Sequence, residues 1–252
     1  MNVRIRTIQA ALAYGPLSVM AVAIAGCQRP PHSVVRIDNP TLGPMRVAVA
    51  PALNFTGRGD FDANALADIM ASELAHVDGF TVLPVSRVLA VLAGQKIDRV
   101  DSAAHARAVA AALGVDAVLV FAVTEYDPYD PPVVGLAAQL YGARRRGPDA
   151  RFDPVQASRR ATAVAQRSMD APDGLLAQFS GVFNASHEPT MRAIKAYASI
   201  RGADDSAYGW RKYVVSQRHY LRFCCDATIR RLVLGASVLS TVPDAGSQVG
   251  MP

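Results

Sequence analysis

Cys27 is the clearest candidate for a chemical modification, because its thiol stands at the end of a long apolar segment near the amino terminus. Arg4 and Arg6 precede this segment, which runs from residue 8 to residue 25. Small residues admit a peptidase to the bond before the cysteine, and a thiol at the membrane surface can accept a lipid. The residues directly before the thiol are one branched apolar residue and two small ones: Ile24, Ala25 and Gly26.

This arrangement matches the lipobox that ends the signal peptides of bacterial lipoproteins. It predicts that residues 1–26 are removed and that Cys27 becomes the first, palmitate-bearing residue of the mature chain. Two or three acyl chains form a stable anchor, because each buried CH₂ contributes about 0.8 kcal/mol. Gln28 stands where inner-membrane lipoproteins carry a retaining aspartate, which favours the outer membrane, facing the periplasm.

Three other interpretations of the amino-terminal segment stay open at this point. It could be an uncleaved transmembrane helix, although its best unbroken apolar run, residues 16–26, falls short of the roughly 20 residues that a span needs. It could be an ordinary cleaved signal, with the cysteine there by chance. It could be a cytosolic helix, although the polar, proline-broken residues 28–33 do not continue one.

The histidines and serines form no recognisable catalytic or metal-binding set. No histidine lies at ligand spacing from another histidine or a cysteine, and no Gly-x-Ser-x-Gly elbow is present. The glycine-containing stretch at residues 56–60 lacks the lysine and the spacing of a phosphate loop. We therefore predict no catalytic residue, no metal and no cofactor. The histidines are expected at solvent-facing helix positions, at helix starts or in the tether: His32, His76, His105, His187 and His219.

Acidic side chains gather after the third long strand, where Glu125, Asp127 and Asp130 alternate with Tyr126 and Tyr129. The carboxyl end of a central strand is where α/β folds bind ligands, so this group could hold a cation. A simple polar turn is the favoured alternative.

Cys224 and Cys225 are neighbours in the helical tail. We expect both to be small buried hydrophobes. An intermolecular disulfide, or metal or redox use, is left open.

Composition and charge limit the classes of partner. The chain has 252 residues, of which 51% are hydrophobic and 19% charged, so it can bury a core. The net charge of +5 favours anionic partners in general, but it is spread evenly and accompanies no nucleic-acid-binding motif. We expect no nucleic-acid partner. The expected partners are the membrane, through the lipid, and other envelope proteins, with a homo-oligomer left open.

The apolar pattern predicts an α/β fold with a small mixed sheet in the order β-α-β-α-β-β-β, helices on it and a carboxyl-terminal helical extension. The continuous apolar run at residues 117–123 predicts a central strand buried on both faces, and the alternation at 133–141 predicts a strand with one covered face. Asp62 is expected to cap a helix, and Gly114 to end one. Residues 207–234 predict one helix or two in register, with a solvated face at Arg211, Arg218 and Arg222.

The predicted organisation has five parts. They are a signal peptide at 1–26, a lipidated tether at 27–43, an α/β domain at 44–186, a helical extension at 187–235 and a flexible tail at 236–252. The α/β domain contains an arginine-rich insertion at 143–173, for which a solvated surface loop is favoured over a patch for lipid headgroups.

The stretch from Met45 to Tyr141 resembles the amino-terminal domain of TolB and its lipoprotein relatives, the curli-secretion lipoprotein CsgG and the penicillin-binding-protein activator LpoB. The matching pieces are the loop at 54–57 after the first strand, the helix at 65–74, the strand at 79–83 and the run at 113–120. The resemblance implies a non-catalytic periplasmic domain that acts through protein–protein contacts. A periplasmic ligand-binding module and a hydrolase with an unrecognised site are the alternatives.

Overall fold

In a computed structural model, residues 36–59, 61–143, 174–203 and 206–240 can be described, and they belong to one compact unit. The sheet has the order β3-β1-β4-β5-β6, with β2 also paired to β4. Strand β1 pairs in parallel with β3 and β4, and β2 pairs in parallel with β4. Strand β5 pairs antiparallel with β4 and with β6. The strands are β1 (Met45–Val49), β2 (Leu53–Asn54), β3 (Phe80–Val82), β4 (Ala117–Asp127), β5 (Val133–Gly142) and β6 (Leu175–Asn184).

Helices cover both faces of this sheet, which confirms the predicted α/β class. Helices α2 and α3 pack on one face over Ala48, Val118 and Val120. Helices α1, α4, α5 and α6 pack on the other, over Val47, Leu119 and their neighbours. The helices are α1 (Ala63–Leu74), α2 (Val85–Gln95), α3 (Ala103–Leu113), α4 (Glu188–Ile200), α5 (Lys212–Val215) and α6 (Gln217–Ser240).

Strand β4 is the centre of the molecule. Its residues from 117 to 123 have no exposed surface, as the continuous apolar run predicts for a strand between two helical layers. The prediction for β5 was wrong, because every residue from Val134 to Gly142 is buried and both of its faces are covered. The small residues Gly135 and Ala137 stand on the face that was expected to be open, and they leave room for close packing there.

The helix ends follow the predicted capping residues. The Asp62 carboxylate accepts from the backbone N–H groups of Asn64 and Ala65, and Ser102 caps α3 in the same way. Gly114 ends α3 in the left-handed region, at φ 64°. The long helical pattern after residue 207 resolves into two helices, because Ser216 between them has extended backbone.

Residues on both sides of the predicted α/β domain pack against it. Ile37, in the stretch assigned to the tether, is buried and bridges to Val77, and its N–H donates to the carbonyl of His76. Helix α6, in the stretch assigned to the extension, packs on β6 and on α1. Its buried residues Phe223, Ile229 and Leu232 belong to the same hydrophobic cluster as β4.

A buried ionic network ties α1 to the carboxyl-terminal helices. Arg201, at the end of α4, contacts the carboxylate of Glu73 on α1 and lies 3.4 Å from the carboxylate of Asp226 on α6. Arg230 pairs with Asp226 at 2.7 Å, and the Arg222 guanidinium is 3.9 Å from Glu73. Glu73 and Asp226 are almost fully buried, so their charges depend on these partners rather than on water.

His76 lies between the two main partners of this network. Its Nε2 is 3.2 Å from the Arg201 guanidinium. Its Nδ1 is 3.2 Å from the Glu73 carbonyl oxygen and 3.8 Å from the Glu73 carboxylate. His76 was expected at a solvent-facing position; this expectation was wrong, because the ring is held between Glu73 and Arg201.

Replacing Glu73 should destabilise the fold strongly. Glu73→Ala leaves Arg201 with Asp226 as its remaining carboxylate, so we expect a loss of about 3 kcal/mol, the lower end for a broken buried ion pair. Glu73→Gln keeps the side-chain volume and a hydrogen-bond acceptor, so its loss of unfolding free energy should be less than half of the loss in Glu73→Ala. Urea unfolding followed by circular dichroism measures both. Asp68→Ala, an exposed site on the same helix, is the control and should change stability by no more than about 0.5 kcal/mol.

The network should also give stability a pH dependence of defined sign. Burial raises the pKa of Glu73 above its ordinary value of 4.5, although Arg201 and His76 oppose the effect. The folded state then holds this proton more tightly than the unfolded state, so the stability that Glu73 contributes falls as pH rises from 4.5 through the folded pKa. The unfolding free energy of the native chain minus that of Glu73→Gln should decrease between pH 4.5 and 7. A difference that grows with pH would contradict this.

Candidate functional site

An open groove of about 550 Å³ lies between α1 and the first turns of α6. Its floor is apolar, and its rims carry charges of both signs. It is lined by Phe61, Asp62, Ala65, Leu66, Asp68, Ile69, Ser72, Tyr126, Gln217, Arg218, Leu221 and Arg222.

Helix α1 supplies the acidic wall of the groove. Its first turn is fixed by the Asp62 carboxylate, which accepts at 2.9 Å from Asn64 and at 3.0 Å from Ala65. Leu66 and Ile69 are buried at the groove floor, one turn apart on the same helix face. Asp68 is exposed on the rim. This wall is therefore an apolar stripe bordered by a negative charge.

Helix α6 supplies the basic wall. Arg218 is exposed on the rim, and Arg222 is half-buried one turn further along, where Glu73 holds it from below. Leu221 lies between them on the floor side. The Tyr220 hydroxyl donates to the carbonyl of Phe183 on β6 at 2.7 Å, which fixes the start of α6 on the sheet. The sequence pattern predicted that Arg222 lies on a solvated face. This prediction was wrong, because Arg222 is half-buried and lies 3.9 Å from Glu73.

An aromatic pair closes one end of the groove. The rings of Phe61 and Tyr126 lie with centroids 5.5 Å apart and planes tilted by 47°. Tyr126 comes from the last part of β4, and Phe61 directly precedes the capping residue of α1. The groove therefore opens at the carboxyl end of the parallel strands, the usual position of binding sites in α/β folds.

Two exposed aromatic residues stand at the same end of the sheet. Phe55 is 50% exposed on a loop in which the Asn54 side-chain oxygen accepts from the Thr56 N–H at 3.0 Å, and the Phe55 N–H donates to the carbonyl of Val123 at 2.9 Å. Tyr129 is 71% exposed in the turn between β4 and β5. This turn is the predicted acidic cluster, and the Asp127 carboxylate accepts from the Tyr129 N–H at 3.2 Å, as in a polar turn.

The predicted lipidation residues and the paired cysteines remain to be placed. Cys27 and the lipobox residues Ile24, Ala25 and Gly26 lie outside the described residues. Cys224 and Cys225 are free thiols with no exposed surface, and burial raises the pKa of both. Within the described ranges no three histidine, cysteine or acidic side chains come together to hold a metal ion, and no helix is long and apolar enough to cross a bilayer.

The lining suits binding of an amphipathic segment. An apolar side chain can lie on Leu66, Ile69 and Leu221, while acidic and basic groups on either side meet Arg218 and Asp68. Among the lining side chains, Ser72 and Tyr126 carry hydroxyls, and the Asp62 carboxylate caps α1. The arrangement thus provides contact surface and orientation.

Sequence reasoning missed the groove and the network beneath it. One signal was present: Glu73 stands on the apolar face of α1, seven residues after Leu66 and three after Met70. A carboxylate at such a position needs a buried cation. The identity of that cation could not be read from the pattern, because Arg201 is 128 positions further along the chain.

Comparison with known proteins gives weak fold similarities. No family model and no curated protein matches the chain. Lipoprotein GNA1162 from Neisseria meningitidis is 18% identical, with a TM-score of 0.38, over 65% of this chain and 99% of its own. The LpoB C-terminal domain from Salmonella enterica is 18% identical, with a TM-score of 0.35, over 42% and 77%. The PelC dodecamer from Paraburkholderia phytofirmans is 14% identical, with a TM-score of 0.35, over 79% and 92%. The function must therefore be argued from the residues of this chain.

Proposed function

We propose that this chain is a lipid-anchored envelope protein that acts as a non-catalytic accessory component by binding an amphipathic segment of another envelope protein in the α1–α6 groove. The observation that carries the proposal is the groove lining, with Leu66, Ile69 and Leu221 on the floor between Asp68 and Arg218 on opposite rims. The anchor is Cys27, and we place the protein on the outer membrane, facing the periplasm.

The chemistry of the groove defines the partner segment. Its apolar side chains would lie on one face, at helical spacing or in strand alternation, so that they reach the floor together. A basic group on one side would face Asp68, and an acidic group on the other side would face Arg218. Because the two rims have opposite charge, they fix the orientation of the segment as well as its position.

A ligand-binding module for small molecules is the second candidate. The groove volume of about 550 Å³ is within the range of small-molecule pockets. Its open shape and two charged rims favour a peptide segment, which can extend beyond the ends of the groove.

The lipid anchor can be tested on its own. Metabolic labelling with an alkyne palmitate analogue should label the native chain and leave Cys27→Ala unlabelled, because the acylated thiol is missing. Cys224→Ala is the matched control, since it removes a buried cysteine and keeps Cys27. Equal labelling of the native chain and Cys27→Ala would refute the anchor.

The groove can be tested by site-specific photocrosslinking in cells. A photoreactive residue at Asp68 should give one recurrent adduct with an envelope protein, and the same residue at Ala111, exposed on α3, should not. The crosslinked peptide should carry apolar residues on one face between charges of opposite sign. Leu221→Asp, which places a charge on the groove floor, should reduce the adduct at least ten-fold.

Two results would contradict the groove assignment. One is an adduct of equal yield at both positions. The other is an adduct at Asp68 that Leu221→Asp leaves unchanged while circular dichroism shows the variant folded.

A further inference from the structure

The turn from α4 to α6 carries a basic surface that is separate from the groove floor. Lys195, Arg211, Lys212 and Arg218 all stand on this surface, and we call these four residues the basic patch. Lys195, Arg211 and Arg218 are exposed, and Lys212 is half-buried. Among the described residues none of the four pairs with a carboxylate, whereas the neighbouring Arg192 pairs with Glu188 and Arg201 pairs with Glu73.

Aromatic rings lie among these cations and hold them in place. The Lys195 ammonium lies 4.8 Å from the centre of the Trp210 ring, and the Arg211 guanidinium lies 5.1 Å from it. Lys212 lies 5.2 Å from the ring of Tyr213 in the same manner. Cations over aromatic faces keep their charge available to a further anion, because the ring neutralises no charge.

His219 lies beside two cations of the patch, Lys212 and Arg218. The ring of His219 packs edge-on against Tyr213, with centroids 5.5 Å apart. Burial lowers its pKa, and the charges that act on it, Lys212, Arg222 and Arg218, lower it further. Every one of these charges is a cation. An exposed apolar side chain, Val215, is the last residue of α5.

Contacts connect this patch to the place where the chain enters the domain. Ile37 bonds to His76, and His76 contacts Arg201 at 3.2 Å. The Arg201 guanidinium lies 5.0 Å from the ring of Tyr197, which packs edge-on against Tyr213 at 5.1 Å. Tyr213 then contacts Lys212. Five successive contacts therefore lead from the end of the tether to the patch.

The tether length limits how far this entry point can be from the membrane. Cys27 precedes Arg36 by nine positions. Nine residues span at most about 30 Å even when fully extended. With Cys27 acylated, the entry point stays within about 30 Å of the lipid headgroups.

We propose that the basic patch is a membrane-contact surface that binds the phosphate groups of anionic phospholipids and turns the groove to a fixed orientation above the bilayer. The patch supplies four cations, and Trp210 beside them is a residue that favours the interfacial region of a bilayer. The proposal rests on the lipid anchor of the proposed function. It assigns a second role, and Arg218 is shared between the patch and the groove rim.

The single tryptophan of the chain makes the contact measurable, because all tryptophan emission comes from Trp210. The full mature protein, purified from cells, is reconstituted into vesicles of phosphatidylcholine alone or with one quarter phosphatidylglycerol. A headgroup spin label in the lipid quenches emission at short range. We expect at least two-fold stronger quenching with phosphatidylglycerol, and its loss near 1 M NaCl, where the Debye length shrinks to about 3 Å.

Charge variants then locate the contact. Lys212→Gln/Arg218→Gln leaves the two cations at Trp210 in place and should lower the quenching toward the phosphatidylcholine value, since each basic residue strengthens contact with an anionic surface about five-fold. Arg87→Gln/Lys96→Gln removes the same charge from α2 and its end, and should keep the native quenching.

The outcomes separate the patch from the anchor. Flotation with pure phosphatidylcholine vesicles reports the anchor alone. Protein that floats with both kinds of vesicle but is quenched equally in them overturns the contact surface, as does a patch variant that is quenched like the native chain. Failure of the protein to float with phosphatidylcholine vesicles would refute the anchor. In that case, stronger binding to phosphatidylglycerol vesicles than to phosphatidylcholine vesicles would still support the patch.

Discussion

The arrangement of this molecule depends on a carboxylate that is buried on an otherwise apolar helix face. Glu73 cannot be solvated where it stands, so it requires cations from elsewhere in the chain. Arg201 and Arg222 meet this requirement, and both belong to the segment that follows the sheet. The network therefore specifies where α4 and α6 pack. Apolar contacts between the helices alone would define this position less sharply.

The groove is a consequence of that docking. Its acidic wall belongs to α1 and its basic wall to α6, and neither helix alone has a concave surface. Arg222 belongs to both the groove and the ionic network, because it lines the groove and also lies 3.9 Å from Glu73. The basic patch depends on the same packing, since the rings of Tyr197 and Tyr213 pack edge to face between Arg201 and Lys212. The network, the groove and the patch are thus parts of one assembly of helices.

The local features of this fold could be predicted from sequence because they depend on neighbouring residues. The apolar run at 117–123 identified the central strand, and Asp62 and Gly114 marked helix ends by short-range hydrogen bonds and backbone geometry. The break at Ser216 was left open, since the apolar spacing continues across it with little change of phase. The second covered face of β5 was missed because small residues such as Gly135 and Ala137 give no clear burial signal.

The candidate site was harder to predict because its parts are distant in the chain. Arg218 and Arg222 were predicted to lie on a solvated face, and their place in the groove lining becomes visible only when α6 lies beside α1. Cys27 is the opposite case, because the lipidation prediction rests on the three residues before it and stays a prediction. Contacts of long sequence separation, such as Glu73 with Arg201, need the three-dimensional structure.

Native-state hydrogen exchange with mass spectrometry tests most directly whether α1 and α6 form one unit. The account predicts that peptides covering 66–74 and 220–233 exchange with the same opening free energy as the central strand at 117–123, in a single cooperative event. Exchange of the 220–233 peptide at least a hundred-fold faster than that of the central strand would show a separately unfolding extension. The groove would then not be a stable feature of the protein.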